Sequence, residues 1–555
     1  MQNPPATPYR FRDPFGPPED KGGARPAYRR SVEAGMLVER DLAVRLRDGV
    51  HIFIDLYRPA DGPPVPPLIA WGPYGKHGHT RYSQSFPKAD VADEHLSAYT
   101  AFEAPDAAYW VAHGYAVINA DPRGTWYSEG IATYLSPEEA LDFHDLIEWA
   151  GTRDWSNGKV GLSGVSYLTS SQWRVAETSP PHLAAINPWE GWTDTYREVV
   201  RHGGIPETSF WPYLPTRWGN SVNQVEDLPR ETAEHPLFDV FWASKAADFS
   251  RITVPAFVVA SWTDQALHTR GTLEGFKGIR SEQKWLEVHG RKKWAHYYDP
   301  ASVEKQRAFF DHFLKGRDTG LASWPRVSLE VRERYYAGGM RTATAWPVPD
   351  TDYTPLYLDA ASRRLQPEPV AAASSCRYAT ARDGEEPGRA VFDFRFDEPT
   401  DLIGHMKLRL WVEADGTDDM DLFVAIQKLD AAGAIVPFAY YAQFEDGPVA
   451  LGWLRVSHRE LDETRSTPWQ PVLTHRREQK LAPEEIVPVD IEIWPSGTRF
   501  NAGQALRLVI QGRDIYDYPK PSVYARHEET VNAGDHVLHT GGEYDAHLLV
   551  PVAPA

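Results

Sequence analysis

The sequence predicts an α/β domain with a largely parallel sheet, interrupted by a helical cap and followed by a β-sandwich of jelly-roll type. Three observations carry this. Apolar runs at 66–71, 115–120 and 160–162 alternate with helical patterns between residues 37 and 187, as strands buried on both faces do. From 188 to 249 the alternation gives way to a stretch dense in aromatics, and it resumes at 254–261 and 284–289. Beyond about Arg317 only short alternating segments with turn signals recur.

The elements justify this in order. Residues 1–36 begin MQNPPATPYRF, rich in Pro and charge and without the apolar h-region of a secretory signal, and are expected to form an extended arm. Alternating residues at 42–47 and 51–57 flank Asp48-Gly49, a hairpin signal. Ser136-Pro137-Glu138-Glu139 gives an N-cap, a Pro at the first helical position and a capping-box Glu, opening a helix that ends near Gly151. After the cap at 188–249, the sheet resumes within 250–316, closed by a helix over 303–314 that stops at Gly316. The segments at 327–331, 356–358, 406–412, 422–429, 490–494 and 505–511 belong to the sandwich at 317–555.

Composition narrows the function. The chain's 555 residues exceed one core and suggest about three or four folding units. Its 77 acidic against 58 basic side chains give a net charge of −19, which disfavours nucleic acid and anionic membrane as partners. A single cysteine, Cys376, excludes an intrachain disulfide framework and a zinc–thiolate cage, fits a reducing compartment and leads to an expected cytoplasmic location. No run approaches the ~18 apolar residues of a membrane span. The sequence leaves the oligomeric state open, a homo-oligomer included.

Chemistry concentrates at residues 159–176, KVGLSGVSYLTSSQWRVA. A serine between a strand end and a helix start is the setting of a nucleophile elbow, where the turn exposes Oγ and helix N–H groups stabilise negative charge. Gly164 and Ser166 fit the pattern G-x-S-x-G, whereas its last position is Leu168. A serine nucleophile needs a base and an acid, in the order Ser…Asp/Glu…His for this fold. Asp264, in Ser261-Trp262-Thr263-Asp264, follows a strand and suits the acid. The base is expected after the next strand, where His289 and His296 are the alternatives; His312, inside the closing helix, fits less well. One oxyanion donor is the backbone N–H of Tyr167. The second is expected in Gly72-Pro73-Tyr74-Gly75, with the Tyr74 phenol as candidate and a half-buried structural tyrosine as the alternative reading. Arg123 and Asp121 read as a structural ion pair or turn anchor. Lys76, His77 and His79 resemble part of a metal cluster but lack convergent carboxylates in the sequence, so a solvated loop and no metal are expected.

Further pieces join these: Asp121-Pro122-Arg123-Gly124, Ser128-Glu129-Gly130, Trp155-Ser156-Asn157-Gly158-Lys159-Val160-Gly161, Trp262-Thr263-Asp264, Trp294-Ala295-His296, Ser457-His458-Arg459 and Ile493-Trp494-Pro495. With Pro73-Tyr74 and Gly164-Val165-Ser166-Tyr167 they span nearly the whole chain from about Leu37, and the chain resembles the cocaine-esterase-like (CocE/NonD) acyl hydrolases. These are allied to X-Pro dipeptidyl peptidases and α-amino-acid ester hydrolases. The resemblance implies an α/β-hydrolase domain with a helical cap and a jelly-roll, Ser166 as nucleophile, Asp264 as orienting acid, and Tyr74 hydroxyl with Tyr167 N–H as oxyanion hole. The chain departs from the family pattern at Thr169, where glycine is frequent, and at Ser261 and Thr263. It departs again at Arg291-Lys292-Lys293, which separate Gly290 from Trp294 where the family has G-P-W-x-H. Matching Trp-x-His selects His296, and matching the glycine leaves His289 beside it.

The expectation is a cofactor-independent serine hydrolase of small carboxylic esters or activated amides, working through an acyl-enzyme. The alternatives are an X-Pro peptidase or α-amino ester hydrolase, with Glu190, Asp194 and Glu198 as carboxylates for a free ammonium group, an acyltransferase, and a binding protein with an inactive core.

Overall fold

A computed structural model describes residues 9–77, 81–380, 388–520 and 522–554; His79 lies outside them. The hairpin forms as β1 (Met36–Arg45) and β2 (His51–Pro59), paired antiparallel around Asp48-Gly49. The sheet continues through β3 (Pro67–Trp71), β4 (Ala116–Asp121), β5 (Val160–Val165), β6 (Leu183–Trp189), β7 (Ala256–Ser261), β8 (Lys284–His289) and β9 (Val327–Arg334). Among these strands the order is β1-β2-β4-β3-β5-β6-β7-β8-β9, parallel from β4 to β9, with Arg29–Glu33 antiparallel beside β1 and Ala337–Ala343 antiparallel beside β9. Every residue of β3, β4, β5 and β7 is buried, which is why these strands read as largely apolar runs.

Helices cover both faces. Phe143, Ile147, Trp173, Leu273 and Phe276 of α1 (Pro137–Gly151), α2 (Tyr167–Ala176) and α3 (Thr269–Gly278) pack on one face against Ile69, Ile118 and Leu162. On the other, Phe309, Phe310 and Leu314 of α5 (Pro300–Lys315) meet Leu68, Val117 and Val259, beyond the short α4 (Lys293–Tyr297). The Ser136 Oγ accepts from Glu139 N–H at 3.0 Å and starts α1; Gly316 ends α5 in the left-handed region at φ 66°. Helix α3 has no counterpart in the sequence reading.

One expected boundary moves. Residues 327–331, expected to open the C-terminal sandwich, instead lie in β9, whose Val327–Leu329 pair in parallel with Leu286–Val288 of β8. The parallel sheet therefore extends past residue 317. Strand β9 then meets the C-terminal unit at Arg332 opposite Thr498.

Residues 188–249 hold three short α-helices, Phe210–Trp218, Leu228–Glu234 and Val240–Ser244, and a π-helical turn at Tyr196–Val200. The N-terminal arm lies on them: Phe11–Arg12 pairs antiparallel with Val225–Glu226, and Tyr9 packs edge-on against Phe241. The C-terminal unit is rich in strands, among them β10 (Thr400–Asp415) paired with β12 (Val487–Phe500), and β11 (Asp421–Leu429) paired with β13 (Ala505–Gln511), all antiparallel. Leu408, Leu410, Leu422, Val424, Ile491, Ile493 and Leu508 form its own core. Phe423, Tyr441 and Trp453 leave that core to pack with Tyr167, Trp192 and Trp218.

Candidate active site

The elbow follows β5 directly. Ser166 holds φ 63°, ψ −116°, a conformation that non-glycine residues rarely adopt and that turns the chain from strand into α2. Its N–H donates to the carbonyls of Trp189 and Glu190 at 3.1 and 3.0 Å, so the end of β6 holds the turn. Leu168, standing where the motif has glycine, fits because its neighbours lack side chains. A Cβ on Gly72 would lie 2.6 Å from Leu168 Cδ1, and one on Gly164 2.6 Å from Leu168 Cβ. Thr169 is accommodated in the same way by Gly191, where a Cβ would come within 2.4 Å of Thr169 Cγ2. The motif's bulk is redistributed rather than lost.

The partner of Ser166 is a histidine the sequence reading did not consider. Ser166 Oγ is 3.1 Å from His268 Nε2, and His268 Nδ1 donates to Asp264 Oδ2 in a short hydrogen bond. Asp264 follows β7 and starts a helical turn; the N–H groups of Leu267, His268 and Thr269 all donate to its carbonyl at 3.0–3.2 Å. This turn leads into α3 and brings residue 268 back over residue 264. Trp192 stacks on the His268 ring, with centroids 5.7 Å apart and planes 9° from parallel. Ser166 is 5% exposed, and Asp264 and His268 are fully buried.

His289 and His296 go elsewhere, which corrects the expected base. His289 Nε2 is 3.0 Å from Glu190 Oε1 and its Nδ1 accepts from Arg291 N–H. His296 Nε2 is 3.0 Å from Glu287 Oε1. Their rings lie 4.0 Å apart beside Trp189, each committed to a carboxylate other than Asp264. His312 lies in α5 against Phe313. The physical reason is that the turn after β8 sends Lys293 to Asp264: its Nζ is 3.1 Å from Asp264 Oδ2. The missed signal was Asp264-x-x-x-His268, the spacing of one helical turn.

The Tyr74 hydroxyl interacts with Ser166 and Trp218, and burial pushes its pKa far up, so it is a neutral donor beside the nucleophile. Tyr167, the first residue of α2, has a backbone N–H without an intrahelical acceptor by helix geometry, and its hydroxyl donates to Glu139 at 2.8 Å. Burial, and then Lys293, brings the His268 pKa down to about 4. Burial pushes Asp264 up, but Lys293 and then His268 outweigh it and hold the carboxyl low. A neutral imidazole beside an ionised carboxylate is the state in which Nε2 can accept a proton from serine.

The other sequence candidates are accounted for. Arg123 makes a two-pronged pair with Asp142 at 2.6 and 2.8 Å and also reaches Asp48. Asp121 is 3.2 Å from Lys76 Nζ. The loop at 76–77 is solvated as expected at His77 but not at Lys76. Lys76 is 3% exposed and pairs with Asp41 at 2.9 Å, while His77 reaches Asp55 at 2.9 Å and Asp41 at 3.4 Å. Carboxylates distant in sequence do converge there, and the Lys76 ammonium supplies positive charge at their centre. Glu190 accepts from Ser261 Oγ, Asp194 pairs with Arg197, and Glu198 pairs with Arg270 at 2.6 Å.

Comparison with known proteins follows the same lines. A family model described as X-Pro dipeptidyl-peptidase (S15 family) matches residues 48–215, and one described as X-Pro dipeptidyl-peptidase C-terminal non-catalytic domain matches 319–549. A solved CocE/NonD family hydrolase from Staphylococcus aureus is 40% identical, with a TM-score of 0.91 over 96% of this chain and 98% of that one. Cocaine esterase from Rhodococcus sp. is 27% identical over 390 residues, 59% of this chain and 63% of that enzyme, so the match spans under two thirds of its length. A putative Xaa-Pro dipeptidyl-peptidase from Bacillus anthracis is 27% identical over 43% of this chain and 44% of its own.

Proposed function

The chain belongs to the CocE/NonD family of serine hydrolases, and from that premise we propose that it cleaves carboxylic esters, or activated amides, through an acyl-enzyme on Ser166. One observation carries the reading: the hydrogen-bonded series Ser166–His268–Asp264 at a strained elbow. In this scheme His268 Nε2 takes the Oγ proton as Oγ bonds the acyl carbon. The imidazolium then gives that proton to the leaving alkoxide or amine. Asp264 accepts from Nδ1 throughout and stabilises the transient imidazolium. Tyr74 hydroxyl and Tyr167 N–H donate to the oxyanion. Water, deprotonated by the same imidazole, releases the acid and restores Ser166. None of these steps draws on a cofactor.

The helical segment at 188–249 is read as a cap whose Trp192 and Trp218 roof the nucleophile, and the C-terminal unit as a jelly-roll that walls the pocket through Tyr441 and Trp453. An aromatic or bulky acyl group suits such a roof. An amine-recognising peptidase is less well supported, because Glu190, Asp194 and Glu198 all have partners of their own. The single, buried Cys376 supports a cytoplasmic location, and among the described residues no helix is long and apolar enough to cross a membrane.

A fluorophosphonate probe tests the reading. Labelling of the wild type and none of Ser166→Ala, with p-nitrophenyl ester turnover lost in parallel, is expected. Turnover by a folded Ser166→Ala protein would overturn it.

A further inference from the structure

The loop after β8 is where this fold would deliver its base, and here it delivers a lysine. Lys293 opens α4, is 5% exposed, and puts Nζ 3.1 Å from Asp264 Oδ2 and 3.4 Å from His268 Nδ1. Since His268 Nδ1 carries the proton donated to Asp264, the ammonium and the imidazole N–H converge on one carboxylate oxygen from two sides. A buried ammonium is costly unless paired. Asp264 is the carboxylate within hydrogen-bonding reach.

The remaining groups around this centre sharpen the assignment. From the β6 end comes Glu190, bonded to Ser261 and His289; Glu103 accepts from Trp294 Nε1 at 2.8 Å. The elbow contributes Ser166 and Tyr74, Trp192 covers the imidazole face, and Tyr441 approaches from the C-terminal unit, where its hydroxyl and that of Tyr440 feel the charge of Asp264. Burial raises Glu190 and lifts Glu103 to about 8, so near neutrality Glu103 is largely uncharged. The closest opposed pair at the centre is Asp264 and Lys293, 3.1 Å apart.

We propose that Lys293 is a positioning residue for hydrolysis: its ammonium fixes Asp264 Oδ2 for His268 and keeps the imidazole unprotonated in acid, extending activity to low pH. This deepens the reading of His268 as the base and rests on it. The sign is definite. A proton on His268 Nε2 blocks acceptance from Ser166, and a cation 3.4 Å from the ring disfavours that proton. Without the cation, burial still disfavours that proton, but the pull of Asp264 toward the protonated form is no longer opposed by a neighbouring charge. The acid limb of kcat/KM must then move to higher pH, by about one to two units for a charge at this range.

The test is kcat/KM for p-nitrophenyl acetate, and the rate of fluorophosphonate labelling, from about pH 4.5 to 9. The proteins are the wild type, Lys293→Met, Lys293→Gln and Lys293→Arg. Both neutral variants are expected to lose activity in acid with the limb displaced upward, and Lys293→Arg to return it toward wild type. Profiles that superimpose on wild type, whatever the change in melting temperature, would reduce Lys293 to a structural role and overturn the proposal. If neither neutral variant folds, ¹⁵N-histidine NMR of wild-type protein, with His268 assigned by comparison with His268→Gln, decides instead. An imidazole titrating at 6.5 or above overturns the proposal. An active His268→Gln would instead remove the underlying reading of the base.

Discussion

Asp264 and His268 stand on one helical turn: the His268 N–H donates to the Asp264 carbonyl at 3.0 Å while its ring donates to the Asp264 carboxylate. The proposed acid and base are thus set against each other by local backbone geometry. Only the contact from His268 to Ser166, 3.1 Å, has to be made by tertiary packing. In folds where the base arrives on a separate loop, both contacts are long-range. Here the stacked Trp192 and the α3 backbone fix the ring before substrate arrives.

That relationship separates the three histidines. His268→Gln is expected to lower kcat by about 10³-fold or more. His289→Gln and His296→Gln should stay within about tenfold of wild type, their loss falling on stability because Glu190 and Glu287 lose partners. Steady-state ester hydrolysis beside thermal melts of the three variants checks this. An inactive but folded His289→Gln would return the base to the loop after β8.

Much of this fold was legible because its strands and helices carry local signals. The β3, β4 and β7 runs are largely apolar and wholly buried, Ser136 and Glu139 cap α1, and Asp48-Gly49 marks the hairpin. Asp264, the proposed acid, drew notice for the same reason, since it follows a recognisable strand that ends at Ser261. His268 did not: in the sequence it is one histidine among 20, and the helix it introduces is short, with glycines at 271, 275 and 278. Those glycines weaken the helical pattern yet serve packing. A Cβ at Gly271 would meet Glu198 Oε2 at 2.3 Å and one at Gly275 would meet Trp173 at 2.9 Å. The Asp41–Asp55–Lys76–His77 cluster was hidden because strand pairing, not spacing, assembles it.

Tyr74 is a neutral phenol beside Ser166, so its removal should act on the transition state more than on binding. Tyr74→Phe keeps the ring contacts with Phe102 and Tyr167 and deletes only the hydroxyl. A loss of about 10²–10³ in kcat with KM little changed is expected. Unchanged kcat would mean that the second oxyanion donor is not this phenol.

Thr169 ties the elbow to β6. Its Oγ1 has one proton to share between the carbonyls of Gly164 and Trp189, at 2.9 and 2.6 Å, and accepts from Trp189 N–H at 2.7 Å. Thr169→Ala strands a buried N–H and should cost about 1–3 kcal/mol. Gly191→Ala alone should be worse, because its Cβ would collide with the Thr169 side chain and approach Ser166 O at 3.0 Å. In Thr169→Gly the Thr169 part of that collision disappears, so the double variant should be more stable than additivity predicts. Denaturant melts of the four proteins form the cycle, and strict additivity would show that the two positions do not share the space.

Acid should weaken the protein through histidines folded in their neutral form. His405 is fully buried, neither ring nitrogen has a hydrogen-bond partner, and burial lowers its pKa to about 4. His289, lowered chiefly by burial, stands at about 4 as well. A histidine at about 4 in the folded chain and ~6.5 when unfolded binds fewer protons folded. The stability it permits is therefore complete above pH ~6.5 and declines as pH falls toward 4. His405→Leu removes this penalty and an unpartnered polar ring, and Glu274, 3.9 Å away, keeps Lys277 and Gln470 as partners. The variant should melt higher than wild type at pH 5.5, with a smaller difference at pH 7.5. An equal or lower melting temperature at pH 5.5 would show that this imidazole is not held neutral by the fold.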